Sequence, residues 1–198
     1  YYAPNNATMF VVGDVEPDAV LAQIEKRFGA IPKQPAPDAV TTVEPEQMGE
    51  RRVVLEKEGA QAPIVMLAYH AGREADAETR ALELLVDALS RGESSRLHQR
   101  LVEQEQVAVS VGSSIATGFD PGLVMFYAVL PPGGDAARVE ALIDEELQKV
   151  AREGLADSEL AKSRNQQLAS FWRSLATISG KAQALGEYEV FHGDFRKL

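Results

Sequence analysis

Two strand signals joined by a turn set the strongest constraint on how this 198-residue chain folds. Residues 107–116 (VAVSVGSSIA) alternate apolar with small or polar side chains, residues 123–130 (LVMFYAVL) are nearly all apolar, and GFDPG lies between them. Successive side chains of a strand point to opposite faces, so the first segment reads as a strand with one wet face and the second as a buried strand. Together they make a β-hairpin, with Val107–Thr117 at or near a sheet edge.

The flanking sequence supplies further strands and the helices to cover them. Thr8–Val12 (TMFVV) reads as a buried strand stopped by Gly13-Asp14, and a helix follows it. Asp14 is its expected cap, Val20, Leu21, Ile24 and Phe28 form its apolar face, and Gly29 ends it. Residues 30–49 contain four prolines and form an extended linker. Arg51–Glu56 and Pro63–Tyr69 are two more strand signals. Leu82, Leu85, Val86 and Leu89 fall at helical spacing, the pattern breaks at Gly92, and a second helix restarts with Ser94 or Ser95 as its cap. PPGGD opens a helix with Val139, Leu142, Ile143, Leu147 and Val150 on one stripe and Gly154 at its end. Asp157 caps a last long helical segment, expected to run to Gly180 and to resume as far as Val190. The order predicts an α+β domain with a mixed, largely antiparallel sheet and helices packed on one face.

Composition removes several function classes. A net charge of −10 sets the chain against nucleic acid and anionic membranes, and no run of apolar residues is long enough for a membrane-spanning helix. The absence of cysteine excludes disulfides, thiolate metal sites and a cysteine nucleophile. The first residue is Tyr1, a strand signal is already under way by Met9, and the last residues, Lys197-Leu198, follow no closing strand, so the sequence reads as cut from a longer polypeptide at both ends.

No catalytic constellation emerges from the remaining side chains. His70, His98 and His192 are widely separated, and neither His-Glu-x-x-His nor His-x-x-Glu-His occurs, so no metal site is predicted. Glu103 lies five positions after His98, pointing nearly opposite to an i+4 partner on an α-helix, so His98 reads as a surface or interface histidine. Gly92-Glu93-Ser94-Ser95-Arg96 is not a nucleophile elbow, and its serines read as caps. There is no phosphate loop and no cofactor-binding motif, and Asp144-Glu145-Glu146 reads as a solvated helix face.

Four segments nevertheless resemble one family. YYAPNNATMFVVGDVEPDAVLAQIEKRFGAIP, ALELLVDALSRGESSRLHQRLVEQEQVAVSV, GLADSELAKSRNQQ and SLATISGKAQALGEYEVFHGD are similar, in this order, to the second domain of the pitrilysin/insulinase-like zinc metallopeptidases, which include mitochondrial processing peptidase and its bacterial relatives. The resemblance implies that residues 1–198 are a single, non-metal, C-terminal domain, with the Pro-rich linker inside it and zinc bound by an inverted motif in the preceding domain. It implies peptide or unfolded polypeptide as substrate of the full enzyme, in a chamber that this domain helps to build along with the subunit interface. It also places Arg and Tyr, which face the zinc in active-site-completing halves, at Val102 and Val109 of this sequence. A second subunit carrying that pair is therefore the expected partner. Gly92, Ser94, Ser95 and Arg96 are the candidate substrate-facing residues, at the place of the family's glycine-rich loop. The absence of cysteine leaves cytoplasm and periplasm both open, and the resemblance favours the periplasm over the cytoplasm for a bacterial parent. Two other readings remain open, a scaffold domain of a catalytically dead member, like the core subunits of the respiratory cytochrome bc complex, and an unrelated small-molecule-binding α+β domain.

Overall fold

The computed structural model describes residues 2–198. In chain order the elements are α1 (Pro17–Phe28), β1 (Ile64–His70), α2 (Ala77–Ser90), α3 (Arg96–His98), β2 (Ser110–Ala116), β3 (Leu123–Val129), α4 (Ala136–Glu153), α5 (Asp157–Leu175) and α6 (Ile178–His192). α3 continues into a π turn over Gln99–Gln104, and short 3₁₀ turns lie at Pro4–Asn6 and Phe195–Lys197. These elements group into two compact units, Glu58–Ser174 and a smaller one built from residues up to Lys57 with Leu175–Leu198.

The larger unit holds the α+β core. Its three strands run antiparallel in the order β1-β3-β2, which makes the hairpin partner β3 central and leaves β2 at an edge as the alternation of Val107–Thr117 predicts. Phe126 pairs with Leu67 on one side and Ser113 on the other, and Ala128 with Val65 and Val111. Gly122 turns the chain into β3, where a Cβ would overlap the carbonyl of Ala116. Val124, Phe126, Ala128 and Leu130 face the core and are almost fully enclosed. Against them pack Leu89 of α2, Leu97 of α3, Leu101 of the π turn, and Val139 and Ile143 of α4, so all the helices of this core lie on one face of the sheet. α4 starts as its sequence predicts, with the Asp135 carboxylate accepting from the N–H groups of Ala137 and Arg138 at 3.0 and 3.1 Å.

Four expectations change. Thr8–Val12 and Arg51–Glu56 are not strands among the described residues, because neither has a neighbouring strand to complete its ladder. Both remain largely bare, with Met9, Val11, Val53, Val54 and Leu55 exposed. α1 begins at Pro17 after Glu16, whose side chain makes no cap bond, instead of being capped by Asp14. The last helical segment breaks at Ala176-Thr177 and not at Gly180, since the Thr177 hydroxyl accepts from the Gly180 N–H at 3.0 Å and starts a new helix there. Finally, β3 is buried on one face only, and Leu123 and Tyr127 on its other face are partly exposed. Residues 32–48 carry no helix or strand, in keeping with their prolines.

The π turn places Leu101 in the core at the cost of backbone strain just beyond it, where Gln106 adopts a φ of +53°. We expect Leu101→Ala to destabilise the larger unit by about 2–5 kcal/mol, and Gln106→Gly to be neutral or stabilising by up to ~1 kcal/mol. Urea denaturation followed by circular dichroism checks both.

Candidate functional site: a polar seam and an open sheet face

Of the residues singled out before α3, Gly92 and Ser94 are exposed, Arg96 is half-buried and Ser95 is buried. Gly92 adopts a φ of +81°, a conformation suited to glycine, and lets the chain reverse between α2 and α3. Ser95 occupies the N-cap position, but its buried hydroxyl donates back to the Gly92 carbonyl at 2.6 Å instead of to the helix. The Ser94 hydroxyl accepts from Lys162 Nζ on α5 at 2.5 Å. Arg96 makes a fork to Glu159 of α5, with Nε and Nη2 each 2.6 Å from a carboxylate oxygen, and its Nη2 also donates to the Gly154 carbonyl at 3.2 Å. Further along, Arg91 donates to Ser170 Oγ at 2.8 Å. These contacts fasten α5, whose only buried residue is Ser163, to the loop by polar bonds in place of an apolar stripe. The hydrogen bond from Arg96 holds the Glu159 carboxyl below its ordinary range, although burial works against it, and the same bond raises the Arg96 guanidinium.

The π turn corrects the reading of His98. Its hydrogen bonds run from Glu105 N–H to the Arg100 carbonyl at 3.0 Å, so residues five apart come to one side. His98 Nε2 stands 3.4 Å from Glu103 Oε1, and Arg100 lies 3.3 Å from Glu105, which also meets Arg138 at 2.7 Å. Val102 packs against the apolar core, whereas Val109 is exposed and its N–H donates to the Val129 carbonyl at 2.8 Å. His70 ends β1 opposite Leu123, and His192 ends α6 with its ring 4.8 Å from that of Tyr188. The three histidines therefore sit on separate elements, and no group of three or more His, Asp or Glu side chains able to hold a metal occurs among the described residues. A zinc site does not fit this chain's own donor set.

The sheet carries a feature that residue-by-residue reading passed over. Ile64 and Met66 of β1, Leu123 and Tyr127 of β3, and Ser110 and Ser114 of β2 share the face opposite the helices. Ile64 and Met66 are 63% and 60% exposed, so this face is apolar and open to solvent within the larger unit. The Tyr127 ring lies across Gly112 of β2, where any Cβ would collide with the phenol. A glycine opposite an aromatic residue in a predicted hairpin is the signal that points to this face. β2 itself has neither a charged residue nor a proline along its free edge.

The larger unit has an α+β fold with a one-sided core, a polar seam and an open sheet face, and comparison with known proteins gives the chain a class. The family profile described as the Peptidase M16 inactive domain matches residues 1–167, so the chain belongs to that family of zinc-protease-related proteins. The zinc protease PqqE of Helicobacter pylori is 30% identical over 193 residues, which cover 96% of this chain and 43% of PqqE. The crystal structure of a protease from Helicobacter pylori matches with a TM-score of 0.87 at 29% identity, over 100% of this chain and 49% of that one. The periplasmic protease PqqL of Escherichia coli shares the fold, with a TM-score of 0.71 at 18% identity over 92% of this chain and 20% of PqqL. The chain thus spans about half the length of the Helicobacter relatives that it matches. No helix of the described residues is long and apolar enough to cross a membrane.

Removing either partner of the Arg96–Glu159 fork should cost about 1.5–3 kcal/mol, and a double-mutant cycle with Arg96→Ala and Glu159→Ala should show strong coupling. Because the Glu159 pKa is lowered on folding, its contribution is present above the unfolded carboxylate pKa of roughly 4.3 and is lost as pH falls through the folded value. Glu159→Gln should therefore flatten the acid limb of the stability curve below about pH 5, measured by denaturant titration at stepped pH.

Proposed function

We propose that this chain serves as the non-catalytic domain of a zinc metalloendopeptidase subunit, where it forms part of the wall of a peptide-binding chamber and part of a subunit interface. The observation that carries this reading is the open apolar sheet face beside the unguarded β2 edge, in a chain that belongs to an inactive peptidase domain family. An edge strand offers main-chain hydrogen bonds that accept an extended polypeptide whatever its sequence, and an apolar face beside it accepts alternate side chains. Zinc is contributed by the preceding domain of the longer protein, and no step of metal chemistry runs through the residues present here. Gly92, Ser94, Ser95 and Arg96 act in this reading by holding α5 in place, since their polar groups are engaged by Lys162, Glu159 and the loop's own carbonyl. In a Gram-negative parent the compartment is the periplasm, a placement supported by the shared fold of the Escherichia coli protein.

Val102 and Val109 give the proposal its second part. They stand where the resemblance places Arg and Tyr, and a core-packed aliphatic chain and an exposed one supply no donor for developing charge. A second family subunit provides that pair, and the working enzyme is a heterodimer. The same two valines also favour the scaffold reading, which the sequence preceding Tyr1 separates from the first. An intact His-x-x-Glu-His there supports the peptidase, and a degraded one the scaffold.

The test is peptide cleavage by the full-length subunit, alone and mixed with its neighbouring paralogue. We expect activity on mixing and a loss of about 10²–10³ when the partner's Arg or Tyr is replaced. Full activity from the single subunit would refute the division of labour.

A further inference from the structure

Sulfur is kept out of the core of this molecule. The chain has no cysteine and four methionines, and the buried core cluster of the larger unit consists of Val, Leu, Ile, Ala and Phe alone. Met9, Met48 and Met66 are 56%, 93% and 60% exposed, and Met125 is half-buried. An oxidant of thioethers therefore reaches the sulfur of this chain without opening the core. Two of the four methionines, Met66 and Met125, share the sheet face opposite the helices. Met66 stands directly across from Tyr127, and Met125 across from Ala68 and Ser114. The two methionines are thus diagonal neighbours on β1 and β3, with Cβ atoms about 7–8 Å apart or somewhat less, within reach of side chains as long as these. None of the three strands contains Asp, Glu, Lys or Arg, so the polarity of this face depends strongly on the state of its sulfur. Unbranched thioethers adapt to apolar partners of different shape, which suits a face that takes polypeptide of varied sequence.

We infer that Met66 and Met125 are a reversible oxidation site, at which hydrogen peroxide switches off the polypeptide-binding face of the sheet. In each residue a sulfur lone pair attacks one peroxide oxygen, and an S–O bond forms as the O–O bond breaks. The departing hydroxide takes up the proton left on the sulfur-bound oxygen, so the thioether is oxidised to a sulfoxide and the peroxide is reduced to water. The reverse step consumes two thiols of a reductant, which become a disulfide while the sulfoxide oxygen leaves as water. A sulfoxide oxygen accepts hydrogen bonds from water, and an apolar peptide side chain laid over it removes that water without replacing it. Binding therefore weakens while the sulfur-free core keeps the fold intact. The inference rests on the reading of this face as a polypeptide-binding wall and adds its control.

The test is fluorescence anisotropy with a fluorescein-labelled peptide of alternating leucine and serine, closed by lysines, at about 150 mM salt to screen long-range charge attraction. Binding to the 198-residue chain is measured before and after hydrogen peroxide, and peptide mapping by mass spectrometry assigns the oxidised methionines. The oxidised chain should bind at least about tenfold more weakly, melt as the reduced chain does, and recover on treatment with dithiothreitol and the two methionine sulfoxide reductases, one for each epimer. Replacing Met66→Leu together with Met125→Leu should abolish the response to peroxide, whatever the affinity of that variant, whereas Met9→Leu with Met48→Leu should keep it. Equal binding by the reduced chain and by the chain oxidised at Met66 and Met125 overturns this inference and leaves the reading of the face standing. A reduced chain that does not bind the peptide overturns both. Met66 and Met125 left unoxidised, a melting transition lost on oxidation, or a response that persists in the Met66→Leu, Met125→Leu variant also overturns the inference.

Discussion

β3 is the piece on which the larger unit depends. It hydrogen-bonds to both other strands, and its inward residues Val124, Phe126, Ala128 and the following Leu130 are the surface on which α2, α3, the π turn and α4 converge. Removing each of Val124, Phe126 and Leu130 from water contributes about 1.5–3 kcal/mol, so a handful of residues supplies a large part of the stability of this unit. The burial is one-sided. The helices that cover one face leave the other with Ile64, Met66 and Tyr127 in contact with solvent, and that asymmetry turns a stable fold into a candidate surface for another chain.

The same constraint explains which elements were legible in the sequence. Where a segment meets its partner within the chain, local pattern and outcome agree. The hairpin, the helix start after PPGGD, the stripe of α4 and the break at Gly92 all follow from residues close in sequence. Thr8–Val12 and Arg51–Glu56 have an equally good strand pattern and no ladder, because composition reports what a segment can do and not whether a neighbour is present. The boundary near Thr177 was missed for a different reason. A threonine cap ends one helix and starts the next without glycine or proline to mark the place.

The site was less legible than the fold. The sequence singles out Arg96 as substrate-facing, but its guanidinium is spent on Glu159, sixty-three residues away, and no spacing rule links the two. The proximity of His98 to Glu103 was hidden because an i+5 pair meets only on a π turn, which propensity does not foretell. The open face with Tyr127 over Gly112 is accessible in principle, since the hairpin register follows once the turn is fixed, yet only the three-stranded arrangement sets exposed Ile64 and Met66 beside it.

The chain belongs to the Peptidase M16 inactive domain family, and the function proposed for it places the metal outside these residues. Measuring the zinc content of the 198-residue chain, after incubation with excess zinc and exhaustive dialysis, tests that claim most directly. The account predicts no stoichiometric zinc. One tightly held zinc per chain, lost when His70 or His98 is replaced, would contradict it.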